Sequence, residues 1–176
     1  AYFELAGGSG RTETADIVAK PPPVGPPITD AREIRRMSRE QANEGRIARL
    51  RGVLTYADPA WRVVFLQTTN DAIFLDTDQP DLRPGQYVEV TGQTQEGGFA
   101  PQLVHCTTEI LATTNFPTPV RVTLKDTADG FYDSHWVEIE GSVRRISKDS
   151  DHIFMTLTSP EGRFAAVVFD PGPAPA

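Results

Sequence analysis

Residues 82–92 read Leu-Arg-Pro-Gly-Gln-Tyr-Val-Glu-Val-Thr-Gly. Pro84-Gly85 makes a tight turn, with Gly85 free to take a positive φ. From Tyr87 the chain alternates, and Val88 and Val90 point to one side, the period-two pattern of a strand with one buried face. Alternation of this kind recurs upstream at 47–56, 62–67 and 72–76, and downstream at 102–108, continuing toward Leu111. Asp58-Pro59 and Thr69-Asn70-Asp71 supply turn chemistry between them. Five short strands, with turns every eight to twelve residues or so, predict an antiparallel all-β barrel or sandwich.

A weak repeat extends this pattern. Residues 49–56 read RLRGVLTY and residues 138–146 read EIEGSVRRI. In each, a short strand meets a glycine and resumes. An interior strand glycine marks a bulge or sharp bend. A barrel strand that serves both halves of its sheet bends there, which gives Gly52 and Gly141 a reason to be glycine. Further strands are expected at 154–158 and 164–169, with turns at 148–151 and at Pro160-Glu161-Gly162. The second unit therefore counts three strands against five in the first.

The flanks differ in composition. Residues 1–27 hold Gly7, Gly8, Gly10 and the prolines 21, 22, 23, 26 and 27, and residues 171–176 form a second proline-rich tail. Eight of the fifteen prolines fall in these tails, so the compact region is expected between them. The proline cluster predicts an extended polyproline spacer. Residues 28–45 predict one or two short helices. Thr29 is placed to cap the first, with Ile34 and Met37 on one face. Ser38 and Gln41 form an approximate capping box for the second, and Gly45 is placed to end it.

The 176 residues carry 24 acidic against 17 basic side chains, a net charge of −7. Across residues 31–51 seven Arg face three Glu, a local +4 that leaves −11 on the remainder. Arg32, Arg35, Arg36 and Arg39 make this lead-in the candidate docking site for an acidic partner. The acidic balance elsewhere argues against a general nucleic-acid binder, which needs a basic footprint. The longest apolar runs, such as 165–169, are far short of the roughly 18 residues that cross a bilayer as a helix. Cys106, the single cysteine, has no disulfide partner within the chain.

The bent glycine-containing strand, the five-strand count and LRPGQYVEVTG together resemble an OB-fold. Across 28–170, the run ITDAREIRRMSREQANEGRIARLRGVLTYADPAWRVVFLQ, then IFLDT, LRPGQYVEVTG, FAPQLV and DSHWVEIEGSVRRI, is similar to tandem OB-like regions of bacterial two-component sensor histidine kinases. Those regions sit outside the membrane in the sensory part. The resemblance implies an extracytoplasmic, periplasmic or secreted, non-catalytic module, and it supplies no ligand residues. The chain departs from that pattern in having no transmembrane or kinase segment and in a second barrel lacking its last strands. The expected organisation is an arm at 1–27, a helical lead-in at 28–45, OB-like barrel 1 at 46–114, OB-like unit 2 at 119–170 and a tail at 171–176.

An incomplete second barrel leaves an open edge. Tyr2, Phe3, Glu4 and Leu5, or residues 16–19, are candidates to cover it by strand addition, within the chain or from a neighbour. That reading makes the protein a subunit of an oligomer or filament. Little catalytic chemistry is legible. His105 and Cys106 are strand neighbours that face opposite sides, and neither His135 nor His152 is placed to activate the thiol. Asp76, Asp78 and Asp81, and likewise Asp149 and Asp151, read as solvated turn acids, since an EF-hand would need Gly where Asp81 stands. Gly97-Gly98 lacks the Lys-Ser/Thr of a phosphate loop. No enzyme activity, cofactor or bound metal is expected. Among Trp61, Phe65, Tyr87, Phe99, Phe131, Tyr132 and Trp136, Phe99 and then Trp61 are the expected exposed aromatics. An oligonucleotide or oligosaccharide stacking face on an OB-like barrel is the remaining alternative.

Overall fold

The structure, a computed structural model, describes residues 25–170. The chain is mostly β and divides into two compact units, one covering Pro22–Ile139 and the other carrying the strands that follow Glu140. The expected arm residues Tyr2, Phe3, Glu4 and Leu5 and the tail at 171–176 lie outside the described residues.

Two short helices open the first unit, α1 (Ala31–Arg35) and α2 (Arg39–Ala42). Asp30, not Thr29, caps α1 by accepting from the Arg32 amide. Thr29 and Asp30 have the same capping chemistry. The choice is made outside the helix, where Ile28 bridges Ala48 and fixes the register of the entering chain. Ser38 caps α2 in a full capping box with Gln41, and Gly45 follows at φ +72°. Ala31 and Ile34 are buried in the core of the first unit, and Met37 packs against it.

Five strands follow: β1 (Ile47–Asp58), β2 (Val63–Gln67), β3 (Ala72–Leu75), β4 (Gln86–Gln95) and β5 (Gln102–Thr113). They close in the order β1-β2-β3-β5-β4, with β4 returning to β1. All pairings are antiparallel except β3 with β5, which meet in parallel through Leu75 and Leu103. β1 is the shared strand. Residues 47–53 pair with β4, and residues 53–58 pair with β2. Gly52 lies at this changeover. A Cβ there would stand 2.3 Å from the Gln67 carbonyl oxygen, so only glycine lets the two backbones approach this closely. Gly85 takes φ +87° in the turn before β4, as expected.

The interior is filled by Leu50, Leu54, Val64, Leu66, Ile73, Leu75, Val88, Val90 and Leu103, all essentially solvent-free. Burial of such side chains stabilises by about 1.5–3 kcal/mol each. His105 takes φ +52° where β5 slips register against β4, and it faces solvent while Cys106 turns toward the core.

Residues after Thr113 up to Ile139 fall in the first unit. Two further strands, β6 (Val120–Val122) and β7 (Val137–Ile139), pair in parallel and belong to it. Side chains tie this segment to the barrel. The Trp136 amide donates to Gln67 Oε1 at 3.1 Å, and Phe116 stacks on the Trp136 ring at 5.1 Å.

The second unit, over residues 140–170, is a meander of β8 (Ser142–Asp149), β9 (His152–Ser159) and β10 (Gly162–Phe169). Gly141 is therefore not interior to one bent strand, as the repeat predicted. It joins β7 to β8, and a Cβ there would press on the Phe164 ring at 2.8 Å. Every residue of β8 is exposed, including Val143 and Ile146.

Candidate functional site

The seven arginines of residues 31–51 have different fates. Arg46 pairs with Glu33 at 3.1 Å. Arg49 and Arg51 project from β1 onto Glu89 of β4, and their guanidinium hydrogen bonds hold its carboxyl below the usual carboxylate range. Arg35 turns inward and is only 10% exposed. It donates to Asp133 Oδ2 at 3.1 Å, to the Phe131 carbonyl at 3.1 Å and to the Gly130 carbonyl at 3.3 Å, and its Nε lies 3.6 Å from Asp71. It works as a tether for residues 129–135, not as a surface cation.

Three cations remain. Among the described residues the Arg32 side chain donates only to a backbone carbonyl, that of Asn70, at 3.0 Å, and has no ion-pair partner. Among the described residues Arg36 has no hydrogen-bond or ion-pair partner for its side chain. Arg39 lies 3.8 Å from Glu96, with both side chains largely solvated, a pair that contributes little.

All four lead-in arginines, Arg32, Arg35, Arg36 and Arg39, line one cleft of about 680 Å³. Its other walls are the β2–β3 turn with Asn70 and Asp71, the β4–β5 connection from Glu96 to Pro101, and the loop carrying Asp129, Gly130, Phe131 and His135. Each wall is fixed. The Glu96 amide donates to Asn43 Oδ1 at 3.0 Å, and Thr94 Oγ1 donates to the Ala42 carbonyl at 2.8 Å, locking the β4–β5 connection to the end of α2. His135 Nε2 stands 3.2 Å from Asp71, and its ring stacks on Phe131 at 5.9 Å with only 17° between the planes. Tyr132 meets Phe131 edge-on at 5.0 Å.

Phe99 and Phe131 give the cleft its apolar surface, at 71% and 63% exposure. Phe99 was the aromatic singled out by its glycine-bounded loop. Trp61 is not in this cleft. It sits in the β1–β2 turn at the other end of β2, where its amide donates to Asp58. The sequence offers Phe131 only as one of seven aromatics and gives His135 and Asp71 no site role. The available signal was the aromatic pair Phe131-Tyr132 behind the Asp129-Gly130 turn, but nothing local links that turn to Arg35, 95 or more residues away.

Other candidates carry less. Arg62 pairs with Asp76 at 3.0 Å and approaches Asp78 at 4.0 Å, which gives these turn acids a partner within the chain. Among the described residues no group of three or more His, Cys, Asp or Glu is placed to hold a metal ion. Burial pushes the Cys106 thiol up to about 12, with Asp76 adding to the shift, so the group is a poor nucleophile at neutral pH. No helix among the described residues is long and apolar enough to cross a membrane. In comparison with known proteins, the chain matches no protein-family model and no curated protein sequence.

Proposed function

We propose that this chain is a non-catalytic binding module, an OB-like barrel whose helix-capped end receives an anionic partner. One observation carries the reading. Arg32, Arg36 and Arg39 converge with Phe99 and Phe131 on a single cleft, and the fourth arginine, Arg35, is spent on holding that cleft open. Guanidinium groups with no carboxylate (Arg32 and Arg36) or only a solvated one (Arg39, with Glu96) beside exposed aromatic rings form a recognition surface, since both gain by contact with a ligand. The strand order β1-β2-β3-β5-β4, with β3 and β5 parallel, supports the OB reading of the first unit. The resemblance to histidine-kinase sensory regions supports an extracytoplasmic location, periplasmic or secreted.

The test is titration calorimetry of the 176-residue chain with three probes: a decaglutamate peptide, a twelve-nucleotide thymidylate strand and cellohexaose. The expected result is binding of an anionic probe that is lost in the double variant Arg32→Glu/Arg36→Glu and kept in Trp61→Ala. If no anionic probe binds in a way that depends on these arginines, the reading fails.

A second reading is favoured by one specific observation. β8 forms the outer strand of its sheet, and Ile146 on it is 64% exposed. An edge of this kind takes an added strand, which supports a subunit of an oligomer or filament completed by a neighbour's Tyr2-Phe3-Glu4-Leu5 segment. Size-exclusion chromatography with light scattering would detect the assembly. A chain that stays monomeric at high concentration would remove this reading.

A further inference from the structure

We infer that the ligand of the basic cleft is a short acidic peptide segment that carries an aromatic side chain. The inference rests on the binding reading above and narrows it. It comes first from how the cations are arranged. Arg32 in α1 and Arg36 at its C-cap are four residues apart, a spacing of about 5–6 Å between Cβ atoms on one helical turn, and Arg39 begins the next helix. Arginines carried on successive turns of the lead-in match carboxylates spaced along a chain, each of which a guanidinium can grip in bidentate fashion.

A phosphate group would ask for donors aimed at one point, with backbone amides lining an open turn. Neither glycine turn on the cleft wall offers this: beside Gly130 the Phe131 amide already donates to Asp129 Oδ1 at 2.9 Å and the Asp133 amide to the Gly130 carbonyl at 3.1 Å. A Cβ at Gly97 would lie 2.1 Å from the Ala100 carbonyl oxygen, so the space beside that glycine is filled by the loop's own acceptor. An acceptor repels phosphate.

Charge selects against a longer polyanion. The cleft lining interleaves Asp71, Glu96 and Asp129 with its four arginines, and the whole chain carries −7. A nucleic acid strand brings one charge per nucleotide and binds largely by neutralising many of them. Outside residues 31–51 the chain sums to −11, which disfavours a polyanion longer than the cleft. A peptide with two or three carboxylates ends before that repulsion builds up. The apolar half of the recognition comes from Phe99 and Phe131. Phe131 is flanked by the His135 and Tyr132 rings, so its ring is set before a ligand arrives and little side-chain freedom is lost on contact. A volume of about 680 Å³ is in the range of sites that enclose a small ligand or a few residues, not of a broad protein interface.

The test is selection of a displayed random dodecapeptide library on the full chain, with the Arg36→Glu/Phe99→Ala variant as counter-bait, followed by fluorescence anisotropy of the selected peptides. The expected outcome is a set of peptides, retained by the wild type and rejected by the variant, in which two or more Asp or Glu flank an aromatic residue. Arg36→Ala alone should weaken them by roughly tenfold, the loss expected for one charge-assisted hydrogen-bonded pair. Circular dichroism of each variant excludes unfolding as the cause. Cleft-dependent peptides without acidic residues would overturn the inference, as would a library with no cleft-dependent peptide. Cleft-dependent binding of a twelve-nucleotide thymidylate strand or of inorganic pyrophosphate, with no peptide selected, would overturn the peptide assignment and leave the anionic binding cleft standing. Failure of every probe would overturn both.

Discussion

Replacing Arg35 with Met should release the wall that carries Phe131 while leaving the barrel folded. The substitution keeps most of the apolar stem and removes the guanidinium. Lost with it are the hydrogen bonds to Asp133 and to the Gly130 and Phe131 carbonyls, and the approach to Asp71. Taking one partner from a buried ion pair costs about 3–5 kcal/mol. Here Asp133 is 31% exposed and regains water, and Asp71 keeps His135, so the loss falls nearer 2–3 kcal/mol. The barrel core does not include these groups. The cost should therefore appear as local opening of residues 129–135. At a factor of ten per 1.4 kcal/mol, that is a rise in opening of roughly thirtyfold to a hundredfold. Amide hydrogen exchange followed by NMR reads it at Asp133 and His135, whose amides donate within the loop, and at Trp136, which donates to Gln67. Leu50 and Val90 in the barrel serve as the control and should keep their protection. Arg35→Lys should fall between, since a single ammonium cannot serve all the acceptors. Unchanged exchange at 133, 135 and 136 in Arg35→Met would refute the tether.

Three further outcomes follow from the same geometry. Gly52→Ala places a methyl group 2.3 Å from the Gln67 carbonyl and should lower stability by about 3 kcal/mol in urea denaturation, so a wild-type midpoint would contradict the close approach of β1 and β2. Ser38→Ala removes the capping box of α2 and should cost about 1 kcal/mol, read as a lowered thermal midpoint with no change in the spectrum of the folded state. Cys106 should resist iodoacetamide at pH 8 in the folded chain and react promptly in urea, and rapid labelling of the native protein would show the thiol is not buried. Its titration has a definite sign. The folded thiol keeps its proton up to about 12 while the unfolded thiol loses it near 9. The stability it contributes is whole below pH 9 and is lost as pH rises toward 12.

The barrel was legible because its signals are local. Alternation marked β1 to β5, Gly52 marked the changeover of β1 between two partners, and the Ser38–Gln41 pair marked the start of α2. The basic lead-in and Phe99 were also legible, from a charge count and a glycine-bounded loop. The rest depends on contacts between distant residues. Which of the lead-in arginines faces solvent is decided by Asp133 and by the carbonyls at 130 and 131, far along the chain, so Arg35 read as a surface cation like its neighbours. Phe131 became part of the site for the same reason. β6 is three residues long, too short for period-two alternation to register. The strands at 137–139 and 142–149 read as one because the sequence around Gly141 matches that around Gly52, yet one glycine lies within a strand and the other between two strands.

Binding at the helix-capped cleft is the step on which the proposed function turns. Amide shift mapping of the full chain by ¹H–¹⁵N NMR tests this directly, with an acidic aromatic peptide such as acetyl-Asp-Glu-Phe-Glu-Asp-amide and a thymidylate strand titrated in turn. With the acidic peptide, the perturbed amides should gather at residues 32–39, 97–100 and 129–135. Shifts gathered instead at the Trp61 turn or along β8, or absent at millimolar probe, would contradict binding at the cleft.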